Sequence, residues 1–440
     1  MQRILVVIGT QLALLSALAL TACGRGDVGV GPPSVVAPPS DSAEAQPDTL
    51  HVLPLYKFKD GESAVGPGGS GGLVGDARKV LFGVAAAGGD PKCHPGDGFK
   101  GCGLIYELSR IKGRRSYQVT ILHTFEGADG AEPTAALLPG GKGTFYGTTG
   151  LGGQFNKGTV FQLTRTATGY TESVLHSFGA QGDGAYPYTS VINVNGTLYG
   201  TTGYGGVYSG CSSGCGTAYS LNPASGTEQV LHNFGNGYDG AIPYASLIDV
   251  NGTLYGTTSA GGSAPKDEGC GTVFAMTTTG AENVLYSFDG SPDGCNPLGS
   301  GVTYLNGILY GTTSGGGTTM CECGIIFSLT VAGAESVLHR FSGPGGDDPR
   351  AGLIAENGSL YGSTFYGGGS CARSPFGCGV VFALTPAVSG AANYEAVYKF
   401  TGGRTGAEPA APLLASHGSF YGTTSSGGKK GFGTAFKLSL

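Results

Sequence analysis

Four histidines occupy one recurring phrase, an aromatic ring or His, any residue, then Phe: His123, His176, His232 and His339. A short way downstream of that phrase stand four Asp-Gly pairs, beginning at Asp129, Asp183, Asp239 and Asp293. Imidazole and carboxylate are the groups of metal ligation and acid–base catalysis. The phase of the repeat argues against pooling the imidazoles, because Tyr56, Tyr286 and Tyr398 hold the same position in the other copies. Each His therefore belongs to a different unit, too far from the next for shared ligation. Packing or capping is the expected role, and no metal or cofactor is expected. Asp-Gly is also ordinary turn chemistry. Asp183 and Asp239 are the acids a hydrolase or lyase could use, with two carboxylates roughly 5–9.5 Å apart for glycoside cleavage. One Asp per unit does not by itself supply that pair.

Tyrosines and cysteines carry the other candidate chemistry. Tyr186, Tyr188, Tyr204, Tyr208, Tyr238 and Tyr244 fall where the repeats stop matching, in loops or at strand starts. A flat apolar ring with a hydroxyl suits sugar and peptide surfaces. Apart from Cys23 there are ten cysteines, an even number that predicts disulfides in an exported chain. Cys102, Cys215, Cys270, Cys323 and Cys378 share one repeat position, with local partners at Cys93, Cys211, Cys321 and Cys371. Cys270 lacks a local partner, and Cys295 in the next loop is placed to meet it. A ring closed across Cys321-Glu322-Cys323 would be tight, so a crossed pairing stays open there.

The elements that position these residues come from seven copies of one unit. Its most visible phrase runs LFGVAAAGG at 81–89, FYGTTGLGG at 145–153, LYGTTGYGG at 198–206 and LYGTTSAGG at 254–262. LYGTTSGGG at 309–317, LYGSTFYGG at 360–368 and FYGTTSSGG at 420–428 complete the set. The phrase ending in Phe also occurs seven times, from YKF at 56–58 to YKF at 398–400. Each unit reads as four short β-runs separated by turn residues. Asn-Gly at 195, 251, 306 and 357 marks the first hairpin of four units, since both turn positions need positive φ. Four antiparallel strands per unit describe propeller blades. The repeat region starts on a fourth-strand phrase, HVLPLYKF at 51–58, and stops at a third strand, GTAFKLSL at 433–440. An open array would leave two raw sheet edges; in a ring, the first strand completes the last blade. The expected fold is all-β, a seven-bladed β-propeller of four-stranded antiparallel blades closed by the N-terminal strand. Small residues after each loop proline, such as Ala135, Ala245 and Ala351, predict a narrow, weakly polar axial opening.

The pattern LYGTTxxGG…GTVFxLT…VLHSFxG…DGAxP resembles the GloVer (Gloeo/Verruco) tandem repeat of bacterial surface proteins, over residues 52–440. LFGVAAAGG departs most from it. The resemblance implies an exported, anchored repeat protein and no family-wide enzymatic activity. Kelch propellers also place Gly-Gly after the second strand, but they fit less well a chain without tryptophan.

The N-terminus predicts the address. Arg3 precedes the apolar run ILVVIGTQLALLSALAL, too short and too early for a membrane span. It ends in Leu20-Thr21-Ala22-Cys23-Gly24, a bacterial lipoprotein signal in which Cys23 takes the lipid. Each buried CH₂ of an acyl chain contributes about 0.8 kcal/mol, so several chains hold a protein firmly at a bilayer. Residues 1–22 are thus expected as signal peptide, 23–50 as lipidated cysteine and Pro/Ser/Ala-rich tether, and 51–440 as the propeller. Gly24 after the lipidated cysteine favours the outer membrane. The net charge is −6 with only 12% charged residues and no basic stripe, which argues against nucleic acid as partner. The function expected is a binding or scaffolding module for glycan or envelope-protein ligands on the long-loop face. A carbohydrate-active hydrolase or lyase is the alternative, and a passive surface spacer the second.

Overall fold

The computed structural model describes residues 52–59, 71–76, 79–94, 100–114, 116–263, 269–299, 301–318, 321–371, 374–387 and 391–439. The expected signal peptide, Cys23 and the tether lie outside the described residues. Seven four-stranded antiparallel sheets succeed one another as propeller blades, and among the described residues there is no helix. Blade four is representative, with strands Ile248–Val250, Thr253–Thr258, Thr272–Thr277 and Glu282–Ser287 in spatial order. The first strand of each blade is innermost and the fourth forms the outer rim. Asn195, Asn251, Asn306 and Asn357 all turn at positive φ, as the hairpin signals predict.

The glycine of the YGTT phrase is fixed by its cross-strand partner. Gly256 pairs with Phe274, and a Cβ there would sit 2.5 Å from the Phe274 ring and 2.8 Å from Leu247. Gly83, Gly147, Gly200, Gly311, Gly362 and Gly422 each face an aromatic residue of the third strand in the same way. That ring meets the phenyl of the preceding blade's outer strand. The seven ring pairs, from Phe125–Phe161 to Phe400–Phe436, have centroids between 5.0 and 5.4 Å apart. The Thr-Thr of the phrase completes the joint at the inner end. Thr148 and Thr201 donate to Thr189 O and Ala245 O of the next blade, at 2.8 and 3.2 Å.

The ring closes as the chain ends suggest. Val52–Lys57 pairs antiparallel with Thr434–Ser439, completing blade seven with Leu414–Ser416 and Ser419–Thr424. Phe58 then contacts Tyr106 of blade one with the same geometry as the other six joints. Its amide donates to Gly433 O, as Phe125 does to Gly103 O.

One rim junction differs chemically. His339 lies face to face on Tyr394 of the next blade, 3.7 Å between centroids and 7° between planes. The Tyr394 hydroxyl donates to Gly345 O, and Gly345 stands where other loops carry Asp. Burial pushes His339 down to about 4.

Two outcomes follow for stability. Gly256→Ala should cost about 1–3 kcal/mol by overpacking, outweighing the roughly 0.5–1 kcal/mol that alanine gains over glycine in a strand. An unchanged urea midpoint would contradict this slot. For His339, the folded chain keeps the imidazole neutral while the unfolded chain protonates near its usual 6.5. Between about 4 and 6.5 the unfolded state therefore binds the extra proton, and stability falls as pH drops through that window. The stability difference between His339→Phe and the parent should shift in the variant's favour from pH 7 to pH 4; parallel curves would refute the assignment.

Candidate functional site

Between blades the chain runs Gly-Ala-X-Pro-Z with small variations, and this loop builds the axial opening. X is Glu132, Tyr186, Ile242, Asn296, Asp348 or Glu408, each at φ between 57 and 62° apart from Asp348 at 56°. Such left-handed backbone persists in side-chain-bearing residues only where surroundings hold it, and here two hydrogen bonds do. Ile242 N donates to Cys215 O of the preceding blade at 2.8 Å, and Ile242 O accepts from Ser259 N at 3.0 Å. The equivalent pair recurs at Glu132, Asn296, Asp348 and Glu408, with Cys102, Cys270, Cys323 and Cys378 supplying the carbonyl. At Tyr186 the carbonyl comes from Lys157. The repeated cysteine position thus sets the next blade's loop.

The residue after each proline then faces the axis. Thr134, Tyr188, Tyr244, Leu298, Arg350 and Ala410 line a cavity of about 380 Å³, with Gly299, Phe365 and Ser425. The small residues next in sequence, Ala135, Ala245, Ala351 and Ala411, are buried as expected. The mouth is weakly polar, as expected, and one residue before the small positions its largely apolar wall gains aromatic rings and a single guanidinium. Arg350 stacks at 4.3 Å on Phe365 and is held by Asp348 Oδ2, at 2.6 Å from a terminal nitrogen and 2.8 Å from Nε. Both nitrogens donate to that one carboxylate oxygen, a charge-assisted contact that fixes the guanidinium's orientation.

Four of the six sequence-selected tyrosines converge. Tyr186 stacks on Tyr188, Tyr188 meets Tyr244, Tyr244 meets Tyr204, and Tyr204 returns to Tyr186, with centroids 5.6–6.1 Å apart. Tyr244 OH donates to Tyr204 OH at 2.8 Å, and Lys157 Nζ donates to Tyr186 OH. Burial, with the neighbouring Tyr204, holds the Tyr244 phenol well above its ordinary value, so it stays a neutral donor. Tyr188 and Tyr244 present their rings to the cavity, while Tyr204 and Tyr186 support them from behind. Tyr208 and Tyr238 are exposed on outer loops and belong to no part of the quartet.

Asp183 and Asp239 lie at the rim in two separate clusters. Asp183 Oδ2 is 3.0 Å from His176 Nε2, and Asp239 Oδ2 is 3.0 Å from His232 Nε2. Asp129 and His123 form the same contact at 2.9 Å. Glu172, Glu228 and Glu282, each from the next blade's outer strand, complete the three clusters, and burial pushes these carboxyls up to about 7. The aspartates line no part of the axial cavity. The structure joins Cys93 to Cys102, Cys211 to Cys215, Cys270 to Cys295, Cys321 to Cys323 and Cys371 to Cys378. Sequence reasoning missed Arg350, Phe365 and Leu298. Aligning the residue directly after each proline would have found Leu298 and Arg350.

Fold comparisons return propellers at low identity. The extracellular domain of a one-component system of B. thetaiotaomicron aligns over 89% of this chain and 40% of its own, at 10% identity and a TM-score of 0.53. The chain thus spans about two fifths of that structure. A GH74 enzyme of Niastella koreensis aligns over 80% of this chain and 50% of its own, at 14% identity and a TM-score of 0.45. No curated protein matches the sequence. The model of the Gloeobacter/Verrucomicrobia repeat matches residues 94–321 and 318–440. The match begins past LFGVAAAGG, the copy that departs most from the repeat, and takes in well over half of the chain: the chain belongs to this repeat family.

Proposed function

We propose that this protein is an exported binding module that takes a carbohydrate at the axial opening on its long-loop face. The observation that carries the reading is the cavity itself. Its volume of about 380 Å³ falls within the roughly 300–1,000 Å³ of small-molecule sites. The wall has the two chemistries a sugar ring needs. Tyr188, Tyr244 and Phe365 offer apolar faces for C–H surfaces. The Arg350–Asp348 pair supplies charged hydrogen-bonding groups for sugar hydroxyls, and the Ser425 hydroxyl, which donates to Glu408 O, keeps its oxygen as an acceptor. Asp348 neutralises the one charged group of the lining, Arg350, which favours a neutral sugar over an acidic one. The five disulfides fit an oxidising compartment, and a lipid on Cys23 would keep the module at the cell envelope. The hydrolase or lyase reading through Asp183 and Asp239 draws no support from geometry, because each is committed to a histidine in a separate rim cluster.

A neutral and acidic glycan panel on the purified chain tests the proposal. Tyr188→Ala should weaken the best ligand about tenfold, near 1.4 kcal/mol, with an unchanged unfolding midpoint. The paired change Arg350→Gln with Asp348→Asn removes both charges together and should narrow or lose the preference among sugars. Full affinity in Tyr188→Ala would overturn the axial site, and turnover of a bound glycan would move the function to the enzymatic class.

A further inference from the structure

We propose that the rim of blades one to four holds divalent metal ions of the zinc class, one in each His-Asp-Glu cluster between adjacent blades. This site is separate from the axial cavity and independent of what the cavity binds. In the first two clusters, His123, Asp129 and Glu172, then His176, Asp183 and Glu228, the donor atoms all lie within 4.8 Å of one another. At the third junction His232 and Asp239 keep the 3.0 Å contact between Nε2 and Oδ2, and Glu282 holds the strand position of Glu172 and Glu228. Contraction of each set onto an ion with bonds of about 2.0–2.2 Å asks for side-chain movements only.

A second observation points to a ligand. Glu172, Glu228 and Glu282 each turn one carboxylate oxygen, Oε1, out of solvent with no hydrogen-bond partner. A buried carboxylate oxygen left unpaired is costly, and a cation against it removes that cost. One imidazole nitrogen with two carboxylates suits zinc and its neighbours. Calcium would want six to eight oxygens and no imidazole.

The repeat supplies its own comparison, because the glutamates all face the same third-strand position, opposite Leu163, Leu221 and Met276. His, Asp and Glu occur together at these three junctions. Where one is replaced, the set is broken. Tyr286 stands for the imidazole beside Asp293 and Glu335, leaving three oxygens, with Glu335 Oε1 again unpartnered. Tyr394 stands for the glutamate beside His339, and Gly345 for the aspartate. Tyr398 bonds Thr405 at 3.0 Å where a carboxylate would be, and Val52 holds the glutamate position. The imidazole thus keeps company with both acids wherever a full set is possible, and packs on an aromatic ring where it is not.

Chelator-stripped protein titrated with Zn²⁺ by calorimetry, with metal content measured after dialysis, tests the assignment. Up to three zinc ions per chain are expected, with a raised melting temperature. Co²⁺ in place of Zn²⁺ should give visible absorption bands of low-coordinate cobalt with nitrogen and oxygen ligands. Glu228→Gln should remove one equivalent and leave the others, and His176→Phe should do the same. The triple change of Glu172, Glu228 and Glu282 to Gln should abolish binding; if that variant fails to fold, the loss of one equivalent in each single variant decides. Absence of stoichiometric zinc, or full stoichiometry in the single variants, would overturn the proposal. Sugar binding at the axis in metal-free protein is unaffected in either outcome, so failure here and failure of the axial reading are told apart.

Discussion

The structure depends on one contact made seven times: an aromatic ring lies in the slot above a strand glycine and meets the previous blade's phenyl edge to face. Glycine is required because the facing ring comes within 2.3–2.6 Å of where a Cβ would be. The same ring therefore fixes the register of the second and third strands and the seam between blades. Each fully buried phenyl contributes about 1.5–3 kcal/mol, with roughly 0.5–1.5 kcal/mol more from the ring pair. Repeated around the circle, this is the largest apolar term that every blade shares. Phe58 and Tyr106 extend it across the closure, so the N-terminal strand is tied by packing as well as by its hydrogen-bonded ladder.

A scaffold fixed at repeat positions leaves other positions free to vary. The Gly-Ala-X-Pro-Z loop shows how. Its backbone is pinned by a carbonyl from the preceding blade and an amide from its own second strand, whatever side chain X carries: Glu, Tyr, Ile, Asn or Asp. Z inherits a fixed direction toward the axis, and its side chain takes no part in those two backbone hydrogen bonds, so Thr, Tyr, Leu, Arg and Ala can alternate there. A nearly symmetric ring thereby acquires an asymmetric mouth, aromatic on the side of blades three and four and cationic at blade six.

How much of this the amino-acid sequence shows depends on whether a feature lies within a repeat or between repeats. The blade count, the closing strand and the positive-φ Asn-Gly turns of four blades are readable because each is local chemistry that recurs from blade to blade or is set by the ends of the repeat region. Tyr188 and Tyr244 stood out because tyrosine is conspicuous in a glycine-rich loop. Arg350 did not, since a single arginine in GGDDPRAGL looks like a solvated charge until the loop is folded toward the axis. Tyr208 and Tyr238 satisfied the same compositional rule as Tyr188, yet their loops carry them outward. The glutamates escaped notice for a related reason: Glu228 meets His176 only because the fourth strands of adjacent blades lie side by side, some fifty residues apart in the chain.

Chemistry in this fold is thus a property of junctions. A blade taken alone presents one histidine, one aspartate or one tyrosine, and none of these is a site. At the rim a junction joins two blades, which limits a cluster to a few side chains and suits it to something as small as an ion. At the axis, side chains from blades two to seven reach one cavity, so a ligand there is read by six independent positions at once. Specificity for anything larger than an ion therefore belongs at the axis. The loop residue after each proline is where a propeller of this family can change its ligand without disturbing the glycine–aromatic seam that holds it together.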